Sequence, residues 1–254
     1  MDLDLSKKDL SKMAIRQMLI LSAFNPREMQ AIGFAYAVLP ALKRACRNKN
    51  KGEIEQKRKK CLDEAVKRHL EPFNTHPYLG AALVGAVSRL EMENRPQEAV
   101  RLKASASGPL GGIGDQVIWK VVLPAIALVT AAMESSGIWW SFLIFLTAFS
   151  LSQLGIRTWL TVKSFEFGKD VISRLAGLDL KKKRWILGLA AGIAGGIMAW
   201  NIDTGMEDES MGHVTTMTLA TASFVAVRVG ISPTLVFYLA CTAIIAVPWL
   251  IGSG

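Results

Sequence analysis

From residue 117 onward the chain is organised as apolar blocks, at 117–133, 138–154, 185–202, 214–229 and 233–251, with polar loops between them. Each block is about 16 to 20 residues long, the length a helix needs to cross the hydrocarbon core of a bilayer. A hydrophobic content of 51% over 254 residues would also suit one large globular core. The crowding of that content into the C-terminal half is what argues for a membrane.

The loops give the orientation. The short loop at 133–137 carries Glu134 alone, and 203–212 holds Asp203, Glu207, Asp208 and Glu209 without a lysine or arginine, whereas 157–184 is strongly basic. Basic loops stay in the cytoplasm, so the acidic loops lie outside, and Lys120 and Arg228 fall at cytoplasmic ends. The N-terminus has acidic Asp2, Asp4 and Asp9, a short apolar run at 18–24 and no small-residue cleavage site, which is unlike a signal peptide. It is expected in the cytoplasm, and the C-terminus outside. The expected fold is all-α: a polytopic membrane protein with an amphipathic, partly re-entrant helical half at 1–115 and about five transmembrane helices within 116–254.

The formal charge of +9 sits mainly in 43–68 and 157–184, beside apolar segments; 43–68 has no interleaved aromatics, and neither stretch carries a nucleic-acid motif. Nucleic-acid binding is not indicated. Cys46, Cys61 and Cys241 are scattered, with no CxxC pair, and are expected to be inert thiols rather than a disulfide framework or a zinc site.

In the first half, 13–24 reads as an amphipathic helix. Asn25-Pro26-Arg27-Glu28 reads as a helix start, with the helix running to about Arg47 and kinked at Pro40. A basic connector and a charged helix follow through His69, read as a solvated face or as a docking surface for a soluble partner. The segment 77–90 is apolar on most sides but too short to span. Its Gly80, Ala81, Ala82, Gly85 and Ala86 would let another backbone approach closely, so a buried or re-entrant helix is expected. Another helix begins at Pro96 and is expected to give way over the Gly-rich stretch 107–115, where unwound backbone would need a polar cavity.

Two segments could carry function. Phe73-Asn74-Thr75-His76-Pro77-Tyr78 places an amide, a hydroxyl and an imidazole at the mouth of an apolar helix, where they could bond sugar hydroxyls while Tyr78 stacks on a sugar face. Asn74 or Thr75 as a plain cap, with His76 as an interior side chain, fits the same pattern. The stretch 108–115 has neither a P-loop ending nor a dinucleotide fingerprint. It reads as a broken helix whose amides and Asp115 line a cavity, or with Asp115 as an N-cap. No catalytic residue is expected: His69 and His76 are a poor metal pair at their spacing, His213 is topologically remote, and there is no nucleophile motif. No cofactor or metal is implied. Gly188, Gly192 and Gly196 form a small-residue ridge suited to close packing within the chain or with a neighbouring subunit.

Four blocks in one order now carry a resemblance. They are Phe24-Asn25 with Met29-Gln30 and the run at 33–42; Lys67-Arg68-His69-Leu70; Phe73-Asn74-Thr75-His76-Pro77-Tyr78-Leu79; and Gly108-Pro109-Leu110 with Gly112-Ile113-Gly114-Asp115 and Trp119. In these the chain resembles the IID subunits of the mannose, fructose and sorbose family of the bacterial phosphotransferase system. The resemblance implies a multi-pass protein of the bacterial inner membrane that forms a hetero-oligomeric permease with a IIC subunit. Sugar would be phosphorylated during uptake by a soluble phospho-IIB charged by IIA, with no phosphorylated residue in this chain. Asn74, Thr75, His76, Asp115 and Gln116 are then expected to line the substrate cavity. The sequence departs from the family pattern at Leu21, Gln116, Val121 or Val122, and Leu123, where the family places polar side chains. These departures motivate the alternative of a non-transporting paralogue with a regulatory or interaction role.

Overall fold

The computed structural model describes residues 5–135 and 137–176. The apolar blocks at 185–202, 214–229 and 233–251, with the glycine ridge, His213 and Cys241, lie outside the described residues. The elements are α1 (Lys7–Met18), α2 (Ala31–Lys49), α3 (Glu55–His69), α4 (Pro77–Met92), α5 (Pro96–Gly114), a π-helical segment (Asp115–Val122), α6 (Leu123–Ser135), α7 (Ser141–Phe167) and α8 (Lys169–Ala176). Among the described residues there is no strand, and extended pairing is limited to isolated bridges from Met29 to Asn25 and Phe73. Two compact units divide the chain: Met1–Gln116 with Ser150–Leu178, and Val117–Phe149 with Asp179–Gly254.

The first unit is built around α4, which is buried on nearly every side from Tyr78 to Met92. A helix apolar all round belongs in an interior. Its small residues have the predicted use: a Cβ on Gly85 would fall on the Thr161 carbonyl and beside the Phe165 backbone nitrogen, so α4 and α7 meet backbone to backbone. Likewise a Cβ on Gly33 of α2 would strike the Ile20 carbonyl. Phe34, Leu42, Phe73, Leu83 and Leu110 fill the core between α2, α4 and α5. At the far end of α7, Gly168 (φ +63°) turns the chain, and Arg89 of α4 donates to the Phe165 and Glu166 carbonyls at 3.2 and 2.6 Å. These are carbonyls that a helix terminus leaves without an internal partner.

Several local expectations change. Asn25 accepts from the Arg27 and Glu28 amides at 3.1 and 2.7 Å, but this side chain closes a turn, and α2 starts only at Ala31. The amphipathic helix lies earlier than expected, at Lys7–Met18, with the Ser6 hydroxyl accepting from the Asp9 amide. The Gly-rich stretch does not unwind. Instead α5 runs through Pro109 to Gly114, and helical structure continues as the π-helical segment, with Asp115 itself in helical conformation. Proline fixes a φ compatible with a helix and removes one donor, the one that would serve the Ser105 carbonyl four residues earlier. Here the Thr75 hydroxyl donates to the Ser107 carbonyl at 2.9 Å, within the turn that precedes Pro109.

The cysteine reading is also corrected: Cys46 and Cys61 form a disulfide, with Cα atoms 5.8 Å apart. The α2–α3 hairpin folds back on itself and brings together positions that spacing alone does not relate.

In the second unit, α6 ends in a tight turn in which Gly137 (φ +82°) donates to the Glu134 carbonyl and Ile138 to that of Met133. This is the paired bonding of a glycine-terminated helix. The Ser141 hydroxyl donates to the Glu134 carboxylate at 2.6 Å, and the Phe149 ring packs against both Trp119 and Phe145.

Two described helical stretches, Pro96–Ala131 and Ser141–Phe167, are long and apolar enough to cross a membrane. They include most of the blocks predicted at 117–133 and 138–154. α7 continues well past Leu154, so Arg157 belongs to a helix and not to the basic loop. Large apolar side chains stand exposed along it, among them Phe142, Leu143, Leu146, Leu151, Leu154 and Trp159. So extended an apolar surface is rare on a soluble monomer and suits contact with lipid.

Candidate functional site

The approach to α4 is held by one amide. Gln30 is buried at the start of α2; its backbone N–H donates to the Phe73 carbonyl at 2.8 Å, and its Nε2 donates to Asn74 Oδ1 at 2.9 Å and to the Thr75 carbonyl at 2.7 Å. The Asn74–Thr75 stretch is thereby fixed beside α2, with Thr75 turned to α5 through Ser107. Asn74 itself remains exposed.

His76 follows, buried, with Nδ1 accepting from the Tyr78 amide at 3.3 Å. The imidazole therefore caps α4, and Pro77 fills the first helical position, where a missing N–H costs nothing. The ring packs against Gly114, where a Cβ would overlap it. Burial lowers the His76 pKa, the nearby Asp115 carboxylate opposes that shift, and Arg157 adds to it. Asp115 and Gln116 are exposed. Thr75, His76 and Asp115 are thus brought together, and Asn74 joins them through Gln30. No hydrogen bond links Gln116 to the group among the described residues. Tyr78 is 2% exposed, with its hydroxyl buried near Ser152. It is a wall of this region and offers no open face for stacking on a sugar.

Sequence reasoning missed two residues. Gln17 of α1, fully buried, donates from Nε2 to the Pro77 carbonyl at 2.8 Å. It accepts from Arg157 twice: Nε donates to Gln17 Oε1 at 3.0 Å, and Nη2 to the Gln17 carbonyl at 2.6 Å. Arg157 is 6% exposed, and among the described residues no carboxylate forms an ion pair with it. A buried guanidinium satisfied by neutral oxygens is costly to keep, and here it joins α1, α4 and α7 beside His76. The available signal was an arginine between apolar neighbours in Ile156-Arg157-Thr158-Trp159-Leu160.

A second polar cluster lies at the other end of α4. Arg68 donates to both Glu91 oxygens at 2.9 Å, and His69 Nε2 lies 3.0 Å from Oε1. Burial pushes the Glu91 carboxyl up, but the hydrogen bonds from Arg68 and His69 outweigh it and hold the pKa at about 2. Burial lowers the His69 pKa, so the ring is neutral at pH 7 and donates from Nε2. Lys103 Nζ, also buried, donates to the His69 and Glu71 carbonyls at 2.9 and 3.0 Å and lies 5.3 Å from the Phe34 and Phe73 ring centres. It serves as a C-terminal cap for α3, with its charge over two aromatic faces. Apart from His69 Nδ1, these groups are engaged with one another or with backbone carbonyls, and they pin α3 and α5 to the far end of α4.

The model of the PTS system mannose/fructose/sorbose family IID component matches residues 4–247. The chain belongs to this family. The mannose-specific EIID component of Escherichia coli K12 is 29% identical over 184 residues, 70% of this chain and 62% of that protein. The fructose permease IID component of Bacillus subtilis is also 29% identical, over 70% of this chain and 63% of its own length. The sorbose-specific EIID component of Lacticaseibacillus casei is 26% identical over the same share of this chain and 62% of its own length. The matched region thus spans somewhat less than two thirds of these relatives. Among solved structures, the mannose transporter ManYZ in complex with microcin E492 contains a chain of the same fold, at TM-score 0.57 and 22% identity with 98% of both chains covered. A second structure, described as a membrane protein, gives TM-score 0.62 at 23% identity, again with 98% of both covered. The IID fold is therefore present, and with it the membrane character expected from the apolar blocks.

Proposed function

We propose that this chain is the IID membrane subunit of a phosphoenolpyruvate-dependent sugar permease. With a IIC subunit it forms the translocation unit for mannose-type hexoses or amino sugars, and a soluble phospho-IIB, charged by IIA, phosphorylates the sugar during uptake. The observation that carries this reading is the family match over 4–247. The multi-pass placement in a bacterial inner membrane, with the N-terminus inside and the C-terminus outside, is part of the same reading. Asn74, Thr75, His76, Asp115 and Gln116 are assigned to the cavity wall. The burial and internal engagement of His69 and His76 support lining and positioning roles over phosphoryl transfer.

The test is uptake of labelled mannose, fructose and glucosamine by cells expressing the chain with its cognate IIC, IIA and IIB. Phosphoenolpyruvate-dependent accumulation of at least one sugar phosphate is expected. Loss of uptake with retained IIB binding would overturn transport in favour of the regulatory alternative, which the likeness to named permease components does not favour. His76→Ala or Asp115→Ala should each lower uptake about tenfold, the effect of one lost interaction of about 1.4 kcal/mol, with membrane assembly unchanged. Unaltered uptake in both variants would leave these residues as caps and packing groups.

Arg157→Ala should lower assembly as well as uptake, because Gln17 and the Pro77 carbonyl lose their organising partner. The yield of intact complex on size exclusion measures this.

A further inference from the structure

The disulfide lies in an unusual setting. Nine lysines and arginines and two glutamates fall within 43–60, in a chain of net charge +9. Cys46 is in the last turn of α2 and Cys61 near the middle of α3, so their bond closes the two arms of this basic hairpin. Little else holds that end. α3 fully buries Ala65 and His69, both in its second half, where Arg68 and His69 engage Glu91. Toward the tip, the Arg58 side chain donates to the Asn50 carbonyl at 3.3 Å, and Asn50 caps α2 at the Cys46 carbonyl.

The two cysteines differ in exposure: Cys46 is 5% exposed, whereas Cys61 is partly exposed. Lys57 and Lys60 lie one turn and one residue before Cys61. Neighbouring cations favour the thiolate, the nucleophilic form, and would attract an anionic reagent. Disulfides in a reducing cytoplasm are usually transient or redox-sensing.

We propose that Cys46 and Cys61 form a reversible thiol modification site on the cytoplasmic face, oxidised and reduced by exchange with small-molecule disulfides and thiols of the glutathione class. The cytoplasmic placement rests on the orientation proposed above. In the oxidising direction, the Cys61 thiolate attacks one sulfur of glutathione disulfide and breaks its S–S bond. One glutathione thiolate leaves, and a mixed disulfide remains at Cys61. The Cys46 thiolate then attacks the Cys61 sulfur and expels the second glutathione. Two protein thiols are oxidised to a disulfide, one glutathione disulfide is reduced to two thiols, and the two thiol protons pass to the departing glutathiones. Reduction is the reverse, beginning with attack at the sulfur of the more exposed Cys61. The reduced hairpin keeps its pinned end at Glu91 and loosens at the basic tip.

Inside-out vesicles carrying the full complex are titrated with mixtures of glutathione and glutathione disulfide, quenched in acid, alkylated and analysed by peptide mass spectrometry. A reversible transition from two alkylated cysteines to a linked pair is expected. Cys46→Ser should accumulate a mixed disulfide at Cys61, and Cys61→Ser at least tenfold less at Cys46 in the same time. A pair that stays linked at the most reducing mixture, or unlinked throughout, would overturn the proposal. Labelling of reduced Cys61 by a membrane-impermeant maleimide in right-side-out vesicles would overturn the orientation, and with it the assignment to the cytoplasmic thiol pool. The vesicle titration would still judge the exchange chemistry.

Discussion

Replacing Glu91 by alanine is expected to destabilise the first unit by on the order of 3 to 5 kcal/mol, the usual cost of removing one partner of a buried ion pair. The Glu91 side chain is 4% exposed and receives both Arg68 bonds and the His69 bond. Its removal leaves a guanidinium partly buried and unpaired. It also leaves a fully buried imidazole without its acceptor, since His69 Nδ1 has no hydrogen-bond partner among the described residues. Thermal unfolding in detergent should show a large drop in midpoint for Glu91→Ala and a smaller one for Arg68→Ala. Arg68 is 29% exposed and partly hydrated already, and removing it leaves Glu91 the His69 bond. Equal small shifts in both variants would mean that the cluster is not a structural hinge point.

Acid should weaken the same cluster progressively. His69 is held neutral in the fold, its pKa lowered from the ordinary 6.5. As the pH falls below about 6.5 the unfolded chain therefore takes up that proton first, and stability declines. Glu91 adds a second step in the same direction. Its carboxyl is held at about 2 against an ordinary 4.5, so its contribution is complete above 4.5 and lost as the pH falls toward 2. A shift of that size corresponds to on the order of 3 kcal/mol. Glu91→Ala should remove most of the decline between pH 4.5 and 3, which a series of melts at fixed ionic strength would measure.

Gly85→Ala is the second change with a large expected effect. At most glycines in a helix alanine stabilises slightly, by up to about 1 kcal/mol, through helix propensity. At Gly85 the added methyl would meet α7 backbone at the Thr161 carbonyl and the Phe165 nitrogen. Backbone cannot swing aside as a side-chain end can, so α4 and α7 must separate. The expected cost is about 1 to 3 kcal/mol, the range for overpacking a close contact. Gly112→Ala is the matched control, since a Cβ there meets nothing within 4 Å. A lowered melting midpoint for Gly85→Ala beside an unchanged or raised one for Gly112→Ala is the expected result. Equal behaviour would place α7 farther from α4 than the structure has it.

Much of this was legible in the chain. Block length and apolarity mark membrane-crossing helices, because a backbone in lipid must satisfy its own hydrogen bonds. The small residues from Gly80 to Ala86 announced a helix approached closely, and Pro77 announced its start, although His76, and not Asn74 or Thr75, supplies the cap. The four-block resemblance led to the same family as the match over 4–247.

The tertiary structure alone decided what depends on contacts across the chain. Pro109 and its glycines read locally as a break, yet the helix continues where Thr75 bonds Ser107, 32 residues away. Arg157 read as the start of a basic loop, yet it is a core residue through Gln17, 140 positions earlier. Cys46 and Cys61 read as unrelated thiols, yet the hairpin joins them. Periodicity and capping act over one or two helical turns and are written in consecutive residues. Pairing a buried charge, closing a disulfide or excluding a Cβ depends on which helix faces do meet, and that is settled only when the helices pack.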